Sequence, residues 1–117
     1  MALISAAGSQ PTVLKSPQLS KIAWLAHGFS TRNGGASRVY GGRALNLGFT
    51  KQDSRSAVER NRRKFLRQLQ VSDSWPVVTL RQVHSDLIHH TNAAPKHPLT
   101  CDGLITAKPG ILLAIQT

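Results

Sequence analysis

Cysteine is almost missing: Cys101 stands alone in 117 residues, so the chain cannot close an internal disulfide and suits a reducing compartment, with the cytoplasm as the simplest expectation. Acidic side chains are also scarce. Five of them face fifteen Lys and Arg, a formal net charge of +10, and that surplus favours contact with phosphates, nucleic acid or anionic surfaces. Aromatic residues make up only 5% of the chain, Phe65 is the one that falls within the basic cluster Arg60, Arg62, Arg63, Lys64 and Arg67, and no nucleic-acid motif accompanies that cluster. That cluster therefore reads as a solvated helix face, and nucleic acid is disfavoured as a partner. No long hydrophobic run is present. Residues 1–20 lack a basic start and are interrupted by Gly8, Ser9 and Pro11, which fits neither a signal peptide nor a membrane span. They read as a flexible leader, and no membrane partner is expected. The G-x-x-x-x-G-K-[ST] loop, a G-x-G-x-x-G turn between strand and helix, and the G-x-S-x-G elbow are all absent, which removes the common nucleotide-loop and serine-hydrolase readings.

What is present suffices for one domain: hydrophobic residues form 40% of the chain, and the length lies in the single-domain range. Residues 22–31, with Trp24, Leu25 and Phe29, alternate loosely and fit a strand entering the domain. Residues 33–48 carry five glycines and two asparagines, including an Asn33-Gly34 pair of the kind favoured in tight hairpin turns, and predict a shaped loop or hairpin. Residues 53–71 predict a helix, opened by Asp53 or Ser54 and by Ser56-Ala57-Val58-Glu59 in capping-box form. Val58, Phe65, Leu66 and Leu69 make its apolar stripe, and Arg60, Arg63, Lys64 and Arg67 lie opposite. Beyond Trp75-Pro76, four short β-branched runs over residues 77–83, 87–91, 103–106 and 111–115 predict successive strands of one sheet, with prolines between them.

Arg62 breaks the helix pattern. It projects within about 20° of the centre of the apolar stripe, so a guanidinium is aimed at the interior or at a cleft beside it. An unpaired buried charge costs several kcal/mol, so Arg62 requires partners: Asp86, Asp102 or strand-end carbonyls, or an anion that its planar fork would clamp. His84 follows a strand and precedes Ser85-Asp86, a place where an imidazole sits on a rigid base; taken alone, such a histidine reads as hydrogen-bonded structure as readily as metal ligand. His27, His89, His90 and His97 carry the same discount. Cys101 matches no zinc spacing and reads as an incidental residue before a strand.

The order of the pieces is more specific than any one of them. His27-Gly28-Phe29-Ser30-Thr31-Arg32-Asn33-Gly34-Gly35 is followed by Tyr40, Leu45-Asn46-Leu47-Gly48, Glu59-x-Asn61-Arg62, Gln82-Val83-His84 and Asp102-Gly103-Leu104-Ile105-Thr106. This series resembles the YfiH-like laccase-domain family, from about His27 to Thr117. The resemblance implies an α+β fold of mixed β-sheets flanked by helices. It also implies that residues 21–117 are the N-terminal half of such a domain, ending before the family's metal-binding cysteine and later histidine. Of the family's metal ligands only the first carries over, to His84, with zinc as the expected metal and copper as the alternative. No catalytic group beyond that ligand is assignable. The implied activity is phosphorolysis of adenosine, inosine or methylthioadenosine, with adenosine deamination in some members. Purine nucleosides and phosphate are the implied partners, and Arg62, Arg32 and Asn46 the candidate substrate or phosphate contacts. Polyphenol oxidation by copper and peptidoglycan editing are the alternative activities. The former needs many histidines, typically in His-x-His pairs, and this chain has five with none so spaced. A different class of reading is an inactive remnant or a basic phosphate- or nucleic-acid-binding module.

Overall fold

A computed structural model describes residues 10–116. The described residues fall into two compact units that divide between Asp73 and Ser74.

The first unit is built on the helix that the periodicity predicts, α1 (Arg55–Gln68). Its cap is Ser54, whose hydroxyl accepts from the Ala57 amide at 3.2 Å and satisfies one of the orphan donors of the first turn. The expected capping box at Ser56 and Glu59 does not form; Glu59 instead pairs with Arg55 one turn back, at 3.1 Å. Val58, Leu66 and Leu69 are buried with Ala57, as the stripe requires, and join Ala44 and Leu45 in the core. Full burial of a side chain such as Val58 contributes roughly 1.5–3 kcal/mol. Asn61 is fully buried on the same face, a polar residue where the pattern expects an apolar one.

Against α1 packs β3 (Asn33–Ser37). The Asn33-Gly34 pair is thus strand, and the reversal expected there falls later. The Gly41 amide bonds the Arg38 carbonyl, Gly41 and Gly42 take positive φ, and the returning chain bridges Ala44 to Asn33 and Ser37. Gly35 is required by close approach: a β-carbon there would collide with the backbone of Ala44.

The strand expected over residues 22–31 shrinks to β2 (Phe29–Ser30), which pairs antiparallel with β1 (Val13–Leu14). Trp24 is 85% exposed and takes no part in the core. Of the leader expected over residues 1–20, residues 1–9 lie outside the described residues. Pro11 is buried, and β1 and a short 3-10 turn at Leu19–Lys21 already order the remainder.

In the second unit, β4 (Val77–Arg81) is the central strand, with Val78 and Leu80 buried and Arg81 exposed. It pairs parallel with β8 (Leu112–Ala114) and with β6 (Leu99–Thr100), in the order β6-β4-β8. The runs expected to share one sheet divide between two. β5 (Ile88–His90) and β7 (Gly103–Ile105) form a separate parallel pair, because the crossover after β4 reaches past β5 to β6. A helix with an antiparallel strand pair in the first unit and parallel strand pairings in the second make the architecture α+β. Among the described residues no helix is long and apolar enough to cross a membrane.

Candidate functional site

Arg32 leaves β2 toward the loop that closes the Arg38–Gly42 reversal, and its Nη2 donates to the Tyr40 carbonyl at 2.5 Å and to the Gly41 carbonyl at 3.4 Å. Those bonds orient the guanidinium of a residue that lines an open concavity of ≈ 480 Å³, together with Thr12, Thr31, Asn33, Arg43 and Ala44 among others. A guanidinium carries five N–H donors, so two backbone bonds from a single nitrogen leave most of the fork for a ligand. Thr31 Oγ1 lies 2.6 Å from the Thr12 carbonyl and 2.7 Å from Asn33 Oδ1, which ties the rim to the first strand.

Arg32 and Asn46 come together. Both line a second depression of ≈ 280 Å³ with Tyr40, Ala44 and Leu45. The Asn46 amide is already engaged, however. Its Nδ2 donates to Asp53 Oδ2 at 3.0 Å and its Oδ1 accepts from the Gly48 amide at 3.2 Å, so its side chain shapes the Leu45–Gly48 loop. Behind it stands Asn61. Its Oδ1 accepts from the Ala36 amide at 2.6 Å, and its Nδ2 donates to Ser37 Oγ at 2.8 Å and to the Asn46 carbonyl at 2.9 Å. The Ser37 hydroxyl in turn donates to Asp53. Hydrogen bonds from Asn46 first, and then from Ser37, hold the Asp53 carboxyl below its ordinary pKa against a smaller upward pull from burial. Asn61 and Asp53 therefore set the shape of the wall that Arg32 faces. The available signal was the polar residue on the apolar face of α1.

Arg62 is half-buried, as its angular position predicts, but its partners are neither carboxylate nor strand end. Its Nε donates to the Leu47 carbonyl at 2.9 Å, and its guanidinium lies 4.5 Å from the centroid of the Phe49 ring, with Arg55 at 4.6 Å from the same ring. Burial, reinforced by the neighbouring Arg55 cation, pulls the Arg62 pKa down, and Glu59 partly opposes it. His27 is a structural histidine: Nε2 meets the Ser16 amide at 3.1 Å and the Ser16 carbonyl at 3.2 Å.

His84 belongs to the second unit. It sits in the exposed turn after β4, with a left-handed backbone at φ 61°, an uncommon conformation for a residue with a side chain. The carboxylate of Asp102 accepts from this turn. Hydrogen bonds, first from the Ser85 hydroxyl and then from backbone amides, hold the Asp102 carboxyl below its ordinary pKa. His89 and His90, on β5, are both exposed. Cys101 is buried and free, as befits a residue of the interior.

Among the described residues, no group of three or more His, Cys, Asp or Glu is placed to hold a metal ion. His84 has no companion ligand, and a catalytic zinc takes three protein ligands. These residues do not by themselves fit a metal centre.

Residues 26–117 match the family described as multi-copper polyphenol oxidoreductase laccase. The chain is also 36% identical over 88 residues to a purine nucleoside phosphorylase of Pseudomonas aeruginosa; the match covers 75% of this chain and 34% of that relative. The chain thus spans about a third of the length of the curated relative that it matches. With most of its residues inside the family match, the chain belongs to the multi-copper polyphenol oxidoreductase laccase family.

Proposed function

We propose that this chain carries the purine nucleoside- and phosphate-binding part of a purine nucleoside phosphorylase-type enzyme. The observation that carries the proposal is the Arg32 concavity, whose guanidinium is oriented by two backbone carbonyls beside a second cation, Arg43. A preoriented fork of this kind suits the planar recognition of phosphate oxygens. The likeness to a protein named for phosphorolysis supports the same assignment. Asn46 contributes the adjoining wall, and Arg62 supports the loop at Leu47 and adds positive potential next to it. Adenosine, inosine and methylthioadenosine are the proposed substrates, with adenosine deamination, a hydrolytic reaction on the purine ring, a second proposed capacity.

His84 is proposed as the chain's single contribution to a metal centre, with zinc preferred over copper. Imidazole suits either ion, but four-copper oxidation requires a wealth of histidines that five scattered ones do not supply. The family's description favours polyphenol oxidation as the second reading. Oxygen uptake with a phenolic substrate and added copper would favour that reading over phosphorolysis. The solitary cysteine suits a cytoplasmic setting.

The test is to map inorganic phosphate and inosine on the purified chain by amide chemical-shift perturbation. Phosphate is expected to move Arg32, Arg43 and their neighbours, and Arg32→Ala is expected to weaken that response by about tenfold, in line with the loss of one charge-assisted contact. A titration to millimolar phosphate that leaves these amides unmoved would overturn the assignment.

A further inference from the structure

The turn after β4 is closed by a single carboxylate. The Val83 amide lies 3.2 and 3.4 Å from the two oxygens of Asp102, the His84 amide 3.0 Å from Oδ1, and the Ser85 amide 2.7 Å from Oδ2. The Ser85 hydroxyl donates to the same Oδ2 at 2.6 Å and accepts from the Leu87 amide at 3.2 Å. Successive amides converging around a left-handed residue form an anion-binding nest. Here the anion belongs to the chain itself. Asp102 is well fixed to fill it: its own amide bonds the Leu87 carbonyl at 3.0 Å, and the preceding Cys101 is fully buried with its amide on the Arg81 carbonyl at 3.1 Å.

We propose that Asp102 is the positioning residue for His84: its carboxylate, seated among three consecutive amides, holds His84 in the left-handed conformation and so fixes the direction in which the imidazole is presented. A histidine left to itself would leave that region, since its Cβ is crowded there. Only an acceptor with two oxygens meets all four donors. Asparagine would lose one acceptor and turn an NH2 group toward N–H and O–H donors. The functional value of this arrangement rests on the proposed ligand role of His84; the positioning itself does not.

The experiment is backbone NMR on the full chain, without metal or substrate. In the wild-type protein the amides of Val83, His84 and Ser85 are expected to be protected from solvent exchange by roughly tenfold or more, although all three residues are exposed. Exchange at the rate of an unstructured peptide refutes the proposal without any variant. In Asp102→Asn that protection is expected to vanish and the His84 Cα and Cβ shifts to leave left-handed values, while the β4 amides of Val78 and Leu80 stay protected. An unchanged His84 signature in Asp102→Asn overturns the proposal, because the strand end would then hold the turn unaided. Should that variant unfold, the wild-type exchange rates still decide, and Ser85→Ala, which keeps the carboxylate and the three amides, is expected to retain them; a left-handed signature lost in Ser85→Ala would contradict the proposal. Glycine reaches positive φ freely. Adding His84→Gly to Asp102→Asn should therefore recover more of the lost melting temperature than adding His84→Ala, and equal recovery would contradict the proposal. The ligand reading fails separately, if millimolar Zn2+ added alone, enough for a lone imidazole to respond, moves the His84 ring resonances no more than those of the exposed His89 and His90.

Discussion

Asn61→Ala removes a fully buried hydrogen-bonding group from the first unit. The wild-type amide group makes three hydrogen bonds, to the Ala36 amide, the Ser37 hydroxyl and the Asn46 carbonyl, and its residue is fully buried. Alanine removes all three. Ser37 keeps its bond to Asp53, so it is not stranded. The half-buried Ala36 N–H and Asn46 C=O lose a partner on the same face, and each costs about 1–3 kcal/mol where water does not replace that partner. For the two groups together the expected loss is about 2–6 kcal/mol, a large share of the stability of a small unit. Denaturant unfolding reads it as a fall in midpoint at unchanged slope. Arg63→Ala, on the exposed face of the same helix, is the control and should stay within about 0.5 kcal/mol of wild type. An Asn61→Ala protein as stable as that control would refute the reasoning that this amide clamps the loop over residues 44–48 to α1.

Arg62 and Phe49 should couple in a double-mutant cycle by about 0.5–1 kcal/mol, the range for a cation over an aromatic ring near the surface; additive losses would show the stacking to be energetically idle. The Asp53 carboxyl titrates below its ordinary range in the folded protein, so its contribution to stability is present above the unfolded pKa and is lost as pH falls through the folded value. The acid limb of a stability-versus-pH curve should accordingly flatten in Asp53→Asn, and an unaltered limb would count against the Asn46–Asp53–Ser37 network.

Local chemistry was legible and long-range pairing was not. The stripe of Val58, Leu66 and Leu69 marked α1 because helical periodicity is written in neighbouring residues, and the burial of Arg62 followed from the same angle. Its partners did not follow, because the Leu47 carbonyl and the Phe49 ring are brought in by a loop whose path the sequence pattern does not specify. Ser54, one of the two caps that the sequence offers, is the cap, while the Ser56-Glu59 box does not form and Glu59 pairs with Arg55 instead. Asn33-Gly34 carries a hairpin signal, yet Gly34 takes φ 89° inside β3, where a β-carbon would collide with the backbone of Gln10 and Pro11; the bend falls at Gly41-Gly42. In the second unit the strands after residue 76 were visible as β-branched runs, but their division into two parallel sheets depends on crossovers that periodicity does not encode. β6 escaped notice because two residues after Pro98 give no alternation to read. Of the site residues, Arg32 and Asn46 do share a depression; Asn61 stands out as a polar residue on the apolar face of α1 and Asp53 as a candidate cap, but their part in shaping it depends on partners from β3 and the Asn46 loop that the pattern does not specify.

The most direct test of the central claim is a turnover assay: the purified chain, inosine, inorganic phosphate and Zn2+, with release of hypoxanthine followed chromatographically. Phosphate binding at Arg32 without base release is expected, because a catalytic zinc takes three protein ligands and His84, the proposed one, has no companion among the described residues. Phosphate-dependent base release by this chain, abolished in His84→Ala, would contradict it.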